Sequence, residues 1–303
     1  MGLLNGSASV TRCVVTSRPD EPDFEQAHFE EIVPGSTIRE RVGFVPFEPD
    51  ADYRVGQHRW AFRVRVDVLK PDPTRVQERL KELVHEEKLA SGLPVLSPRK
   101  VRQLRELAEE ELLVTTTPRS RVIECCLDDS TLWVGTTAKT HIGTVLGLLY
   151  EIGVVSDFKA PWLDHGDESP ADAFVEISEP WQSALGCRLA RRMMDDPELM
   201  VEPVSGSARI ATREARITLS GEIMNDLVHH ISRGAQILSV KVASSDTSFR
   251  FDALNYRVSG LRIDTEVHEH WHDQLDERLE KIEEVYDLLD TRYEALRNEL
   301  VTT

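Results

Sequence analysis

The residues with the clearest capacity for chemistry are three closely spaced histidines near the end of the chain. His268, His270 and His272 stand at positions i, i+2 and i+4, and imidazole nitrogens are common metal ligands. On a helix only His268 and His272 share a face, and no third ligand is spaced to join them. A zinc deaminase would also need a Cys-x-x-Cys pair, which the sequence lacks. We therefore interpret these histidines as a solvated helix face and expect no metal and no cofactor.

The other reactive side chains form no catalytic signature. The sequence contains no P-loop, no G-x-G-x-x-G and no G-x-S-x-G motif. Four cysteines lack metal or disulfide spacing, as is typical of a reduced, cytosolic protein: Cys13, Cys125, Cys126 and Cys187. Carboxylates are abundant, but no spacing selects one pair. We therefore predict a protein without enzymatic activity and without catalytic residues.

The charge balance argues against the simplest form of nucleic-acid binding. The 303 residues carry a formal net charge of −17, whereas phosphate binding needs concentrated lysine and arginine. Net charge is a sum over the whole surface, and binding needs only one positive face. The composition therefore neither establishes nor excludes a nucleic-acid partner. Because the sequence has no run of 18 apolar residues and no secretory signal, we expect a cytoplasmic protein that contacts no membrane.

The clearest candidate for a phosphate-binding element is HRWAFRVRVDVL at residues 58–69. Apolar and polar residues alternate in it, which predicts a half-buried strand. The buried face would carry Trp60, Phe62, Val64, Val66 and Val68. The outer face would carry Arg59, Ala61, Arg63, Arg65 and Asp67. These arginines form either a row that faces phosphates or a set that pairs with neighbouring carboxylates.

A second basic cluster opens a predicted helix. Helical periodicity at residues 71–87 and 99–113, interrupted by a break that contains Gly and Pro, predicts a helical hairpin at 73–113. Arg99, Lys100 and Arg102 lie in the first turns of the second helix. They would face phosphates or form a solvated face with i,i+4 ion pairs.

The remaining segments alternate between strand and helix patterns, which predicts an α+β protein with antiparallel sheets. The predicted strands span residues 7–16, 120–127, 131–135, 236–243, 248–254 and 257–263. The predicted helices span residues 24–32, 138–152, 181–194, 220–233 and 266–301. A Pro- and acid-rich stretch at 160–172 indicates the internal boundary. We therefore expect an N-terminal lobe at 1–160, a C-terminal lobe at 161–265 and a terminal helix at 266–303.

The order of these segments resembles the RdgC family of bacterial recombination-associated proteins. GFVP at 43–46, the strand at 58–69 and RKVRQLRELAEEELL at 99–113 are similar in order and spacing. LWVGTTAKTHIGTVLGLLYEIG at 132–153 resembles the family's middle helix segment. The clearest likeness is RITLSGEIMNDLVHHISRGAQILSVKVASSDTSFRFDALNYRVSGLRI at 216–263, where a helix ends at Gly234 and three strands follow.

This resemblance implies a multi-lobed α+β fold and a ring-shaped homodimer that encircles DNA without sequence preference. It also implies a nucleoid-associated protein that modulates RecA-type homologous recombination. The family's Pro-Arg-x-Phe segment corresponds to residues 114–117, where no aromatic residue stands, and Pro118-Arg119 follows slightly later. The family's basic-polar pair before its Leu-Thr helix falls at Ala215-Arg216, which keeps one charge.

We therefore predict a non-enzymatic DNA-binding homodimer that contacts phosphates and reads no bases. The predicted DNA-binding residues are Arg59, Arg63, Arg65, Arg99, Lys100, Arg102, Arg119 and Arg216. A RecA-type recombinase is the predicted protein partner. Two alternatives stay open: a protein–protein interaction module that has lost DNA binding, and a metal-dependent nuclease that uses unassigned carboxylates.

Overall fold

The computed structural model describes residues 2–302 except positions 34, 37, 50, 203, 245, 246 and 267. Within these residues the chain forms seven α-helices and thirteen β-strands, and the strands belong to a large antiparallel sheet. This confirms the predicted α+β class, the helical hairpin and the long C-terminal helix. Likeness to the RdgC fold stays a prediction.

The strands carry labels in chain order. They are β1 (Ala8–Ser17), β2 (Glu40–Val45), β3 (Arg54–Val55), β4 (Arg59–Val68), β5 (Arg119–Leu127), β6 (Thr131–Val134), β7 (Val155–Phe158), β8 (Met200–Val201), β9 (Gly206–Ala211), β10 (Arg216–Gly221), β11 (Gln236–Ala243), β12 (Ser248–Asp252) and β13 (Arg257–Leu261). The α-helices are α1 (Pro73–Ser91), α2 (Pro98–Leu113), α3 (Lys139–Glu151), α4 (Pro161–His165), α5 (Leu185–Arg192), α6 (Met224–Ser232) and α7 (Trp271–Thr302).

The chain divides into two compact units. The larger unit comprises Met1–Pro22, Pro46–Phe62 and Ile123–Thr303, and the smaller unit comprises Asp23–Val45 and Arg63–Val122. Two of the boundaries therefore fall within strands β4 and β5. The lobe division near residues 160–172 stays a prediction.

A long antiparallel sheet organises the larger unit. Its strands lie in the order β10-β9-β11-β12-β13-β1-β6-β5, with β7 paired to β1 and β8 paired to β11. Successive residues of a strand point to opposite faces, and on one face Ile210, Val240 and Phe251 are fully buried. These residues share one apolar core with side chains of α5, α6 and α7.

Helix α7 packs along this core through residues spaced alternately four and three positions apart. They are Leu275, Leu279, Ile282, Tyr286, Leu289, Tyr293 and Leu296, all of them buried. This spacing places the side chains on one seam of the helix. The helix begins at Trp271 rather than at the predicted residue 266, and Val267 lies outside the described residues.

The predicted hairpin in the smaller unit is confirmed as α1 and α2. Asp72 accepts a hydrogen bond from the backbone N–H of Thr74 (2.7 Å), and Ser97 accepts one from Lys100 (3.3 Å), so both helices are N-capped. Gly92 ends α1 with a φ of 68°, a conformation that favours glycine. The two helices share a small core made of Val76, Leu83, Leu96, Leu104 and Ala108.

Several predicted elements differ from the structure. The helix expected at 24–32 is only a 3-10 turn at Phe24–Ala27. The helix expected at 220–233 begins at Met224, because Ser220 and Gly221 continue β10 in register with β9. The helix expected at 181–194 is confined to α5 and a following 3-10 turn. Strands β2, β3, β7, β8, β9 and β10 were not predicted.

Candidate nucleic-acid interface

One face of strands β9 to β13 points away from the apolar core and is polar. Arg209 of β9 is directly paired with Thr218 of β10 and Ser239 of β11, and Arg250 of β12 is paired with Lys241. Directly paired residues point to the same side of a sheet. The alternating burial of the strands places these side chains opposite the core. They therefore belong to a single surface.

We call this surface the basic face. Its charged side chains are Arg209, Arg216, Lys241, Arg250, Arg257 and Asp252. Even with Glu202, which pairs with Lys241 (3.9 Å), these five cations outnumber the carboxylates beside them, in contrast to a chain whose net charge is −17. The acidic excess of the protein is therefore not spread evenly, and a positive surface exists within it.

Three arginines of the basic face are open to solvent. Arg209, Arg216 and Arg250 are exposed, and Arg250 donates a hydrogen bond to the hydroxyl of Ser207 (3.0 Å). Over the described part of the chain, none of these three arginines forms an ion pair with a carboxylate. Their guanidinium groups are therefore available to an external anion.

Two further cations of the face are held by the protein. Lys241 is half-buried, and its Nζ donates to the hydroxyl of Ser205 (2.7 Å) and pairs with the carboxylate of Glu202 (3.9 Å). Arg257 is 4% exposed, donates to the carbonyl of Thr137 (2.9 Å) and lies 4.9 Å from the ring centre of Phe158. Burial lowers the pKa of Arg257, but an arginine side chain stays charged at neutral pH. It adds a fixed positive charge beside the exposed arginines.

A cleft of about 290 Å³ lies on the basic face. Arg209, Arg216 and Arg250 line it from three different strands, and the paired residues Ser239 and Asp252 line it between them. The rest of the lining comes mainly from the loop at 176–182 and the turn at 254–255. The three accessible arginines therefore border one concave site.

A network of amides fixes the loop that walls this cleft. The Oδ1 of Asn255 accepts hydrogen bonds from Gln182 (3.0 Å) and from the indole of Trp181 (3.3 Å). The Nδ2 of Asn255 donates to the carboxylate of Asp252 (3.0 and 3.2 Å). Trp181 stacks on Phe158 with the ring centres 4.0 Å apart. These hydrogen bonds connect the loop at 176–182 to Asp252 at the end of β12, so the cleft is already formed without a ligand.

Arg216 is the only predicted DNA-binding residue on the basic face. Arg59, also in the larger unit, forms ion pairs with Asp128 (2.8 Å) and Asp276 (2.5 Å). Burial acts to lower the pKa of Arg59, but the hydrogen bonds to these two carboxylates outweigh it and raise the pKa. This guanidinium is committed to internal partners, which does not favour a role in phosphate binding.

The predicted outer face of β4 is not exposed at every position. Ala61 is fully buried and Asp67 is 2% exposed, although strict alternation places both on the outer face. Arg65 donates to both oxygens of Asp67 (2.9 and 2.8 Å) and lies 4.4 Å from the ring centre of Phe29. Arg65 thus pairs with carboxylates, as the alternative expects, and its role in DNA binding stays a prediction. Arg63 is half-buried on the same strand.

The remaining predicted residues lie in the smaller unit. Arg99 and Arg102 are exposed in the first turns of α2, where Lys100 pairs with Glu87 (2.9 Å). Arg119 is exposed at the first position of β5. The structure therefore brings Arg99, Lys100 and Arg102 together on one helix, in a different unit from the basic face.

The histidine cluster does not form the helical face expected from the sequence. The letters HEHWH also fit the H-E-x-x-H pattern of zinc proteases, which requires both outer histidines on one helix. His268 precedes α7 and lies 2.5 Å from Glu277, while His270 and His272 stack with ring centres 5.3 Å apart. Among the described residues, no group of three or more His, Cys, Asp and Glu side chains is arranged to hold a metal.

Sequence reasoning missed Arg209, Lys241 and Arg250. Each stands between buried neighbours in a short alternating segment: Arg209 in SARIA, Lys241 in SVKVA and Arg250 in SFRFD. That local signal equals the one in β4. The order of the strands, which brings the three cations together, cannot be read from the separate segments.

Comparison with known proteins gives no relative from which a function of the basic face could be inferred. No family model matches the chain, and no curated protein matches it. The resemblance to RdgC therefore stays a prediction. Along the described stretches of the chain, no helix is both long and apolar enough to cross a lipid bilayer.

Proposed function

We propose that this chain is a non-enzymatic DNA-binding protein similar to RdgC, which holds DNA phosphates on the basic face and reads no bases. The proposal includes a homodimer, ring-shaped as in that family, and an effect on RecA-type recombination. Of the residues expected from the sequence, it keeps Arg216 on the basic face. It adds Arg209, Lys241 and Arg250.

The basic face is the single observation that carries this proposal. In a chain with a net charge of −17, three exposed arginines, which pair with no carboxylate among the described residues, converge on one surface. Arginine forks donate two hydrogen bonds to phosphate oxygens. An acidic protein can therefore hold DNA on one face while the rest of its surface repels nucleic acid.

The composition of the face supports phosphate contacts rather than base reading. Serine and threonine hydroxyls stand between the cations at Ser207, Thr218, Ser239 and Ser259. Such hydroxyls and arginines are the usual donors to phosphates and sugars, which position DNA without reporting its sequence. We therefore expect similar affinities for oligonucleotides of different sequence.

A charge-reversal experiment tests this proposal. Fluorescence anisotropy with labelled single-stranded and duplex DNA measures affinity for the wild type, for Arg209→Glu with Arg250→Glu, and for Arg99→Glu with Arg102→Glu. Losing a charge-assisted hydrogen bond costs about 1.5–3 kcal/mol, or about tenfold in affinity or more. We expect a loss of at least about tenfold for the first pair and a small change for the second.

The two pairs of substitutions are matched in charge and exposure. All four arginines are exposed, so the variants should fold as the wild type does, which a thermal unfolding midpoint checks. If the α2 pair abolishes binding and the β9/β12 pair does not, the DNA surface lies on the hairpin and the proposal is wrong. Absence of DNA binding by the wild type would favour the protein–protein module.

The recombination part of the proposal needs its own assay. A strand-exchange reaction driven by RecA should slow when the protein is present in excess over the DNA. The β9/β12 charge reversal should restore the rate, because the effect depends on occupying DNA. A rate that the wild-type protein leaves unchanged would remove RecA-type recombination from the proposal.

A further inference from the structure

The cleft on the basic face gathers three guanidiniums, which carry more positive charge than the single negative charge of one interior DNA phosphate. Arg216, Arg209 and Arg250 approach it from β10, β9 and β12, and β11 lies between the last two of these strands. A phosphate inside a DNA strand has two oxygens that are not ester-linked, whereas a phosphate monoester has three. Phosphate monoesters also carry close to two negative charges at neutral pH, as phosphoserine does.

From this match we propose that the cleft binds a phosphate monoester, which on DNA is the terminal phosphate of a strand. The inference rests on the proposed function and deepens it, since it assigns strand ends to one part of the basic face. A cleft of about 290 Å³ has room for a phosphate with its sugar. Where no strand end is bound, the same arginines would contact interior phosphates, as the proposed function expects.

The other ion pairs of the protein show that these arginines are not simply surface charges of an acidic chain. Arg59, Arg65 and Arg79 each contact at least two carboxylates. Within the described residues, Arg209 and Arg216 contact none, although 53 of the 303 residues are acidic. Unpaired guanidiniums that share one concave site favour an external anion as their partner.

The carboxylates of the cleft limit which anion it accepts. Asp252 is occupied by the amide and backbone N–H of Asn255 (3.0 and 3.2 Å). Glu176 is exposed and lines the same cleft. Three arginines against these two carboxylates leave a positive cleft, and Glu176 opposes the ligand. Removal of its charge should therefore tighten binding of a phosphate monoester.

The test compares one oligothymidylate in three forms: with a 5′-phosphate, with a 3′-phosphate and with hydroxyls at both ends. A closed circle of single-stranded DNA, which has no end, reports the proposed function alone. We expect the better of the two phosphorylated forms to bind at least about tenfold tighter than the hydroxyl form, since the end adds charge-assisted hydrogen bonds. Competition by free thymidine monophosphate, at concentrations near those of the oligonucleotide, would identify the free nucleotide as the source of the monoester.

Variants locate the preference within the molecule. Arg209→Gln with Arg216→Gln should reduce the ratio between phosphorylated and hydroxyl forms to about one, even where overall affinity falls. Arg213→Gln controls for the loss of a nearby surface charge, because Arg213 is exposed in the β9–β10 turn and does not line the cleft. Glu176→Gln should raise the ratio, and a folding defect would not produce that gain.

The outcomes separate this inference from the proposed function. A wild-type protein that binds the circle, shows equal affinity for all linear forms and ignores thymidine monophosphate would overturn the monoester site and leave DNA binding intact. A preference that survives Arg209→Gln with Arg216→Gln, or that Glu176→Gln does not raise, would also overturn it. Binding of phosphorylated ends without binding of the circle would overturn the proposed function and support the cleft.

Discussion

At the scale of single residues, the interior of the larger unit is held by charged groups as well as apolar ones. Arg12 of β1 is 6% exposed and donates to Asp290 of α7 at 2.8 Å. Its guanidinium lies 4.8 Å from the ring centre of Tyr286, and the hydroxyl of Tyr256 donates to Asp290 at 2.6 Å. This network fixes the position of α7 against the sheet, which apolar contacts alone leave less specific.

Removing the acidic partner of Arg12 should destabilise the protein. Asp290→Ala leaves a buried guanidinium without its carboxylate, and we expect a loss of about 2–3 kcal/mol, below the usual range for a buried pair because Asp290 is partly exposed. Arg12→Met with Asp290→Ala should be more stable than Asp290→Ala alone, since no uncompensated charge remains. Urea unfolding measures both, and a double variant less stable than the single one would contradict this account.

A second residue-scale prediction concerns pH. Burial acts to raise the pKa of Asp67, but hydrogen bonds from Arg65 and Ser120 and the charge of Arg65 outweigh it, so the pKa lies below its ordinary value. A lowered folded-state pKa adds stability above the unfolded-state pKa of about 3.9, and this stability is lost as the pH falls through the folded-state pKa. We expect a steep loss of unfolding free energy below about pH 4, which Asp67→Asn makes shallower. Urea unfolding at a series of pH values measures the unfolding free energy of both proteins. The same dependence of this free energy on pH in the wild type and in Asp67→Asn would contradict the prediction.

At the scale of elements, local signals predict a helix or strand well where nearby residues alone determine where it begins and ends. The caps at Asp72 and Ser97 and the break at Gly92 fix the α1–α2 hairpin from nearby residues. The prediction fails where pairing with another strand decides the outcome: Ser220 and Gly221 are in β10 because β9, the preceding strand of the hairpin, pairs with them. Strands β2 and β7 escape prediction for the same reason, since β4 and β1 supply their hydrogen bonds.

The hairpin provides an element-scale prediction with an internal control. Leu104 is 7% exposed in the small core of α1 and α2, whereas Leu107, one turn further along the same helix, is 42% exposed. Leu104→Ala should cost about 2–4 kcal/mol through lost burial and a cavity, and Leu107→Ala less than about 1 kcal/mol. Hydrogen exchange of α1 and α2 amides measures the effect within this unit. Equal effects of the two substitutions would show that the hairpin core is not packed as described.

At the scale of the whole molecule, the sequence predicts the fold class better than the site. Alternation in the segments of β11 to β13 indicates antiparallel strands, but only strand order places Arg209, Arg216 and Arg250 on one face. Arg216 was found through a family resemblance and not through its chemistry. A net charge of −17 conceals the basic face entirely, because a sum over the chain carries no information about where each charge lies.

Assembly is a prediction at this scale. A homodimer requires light scattering to give twice the chain mass of 34.4 kDa at micromolar concentration. We expect this mass without DNA, and two chains together with the mass of the DNA in the complex. A mass of 34.4 kDa without DNA, and of one chain plus the DNA in the complex, would exclude the ring while the basic face binds DNA as a monomer.

The salt dependence of DNA binding tests the central claim, that phosphates are neutralised on the basic face. For single-stranded DNA the slope of log K against log salt is about −0.7 for each phosphate neutralised. With four cations engaged we expect a slope near −3 for a circular single strand, and Arg209→Gln, Arg216→Gln and Arg250→Gln together should flatten it by about two units. Wild-type binding with an unchanged slope in the triple variant would show that other residues hold the DNA.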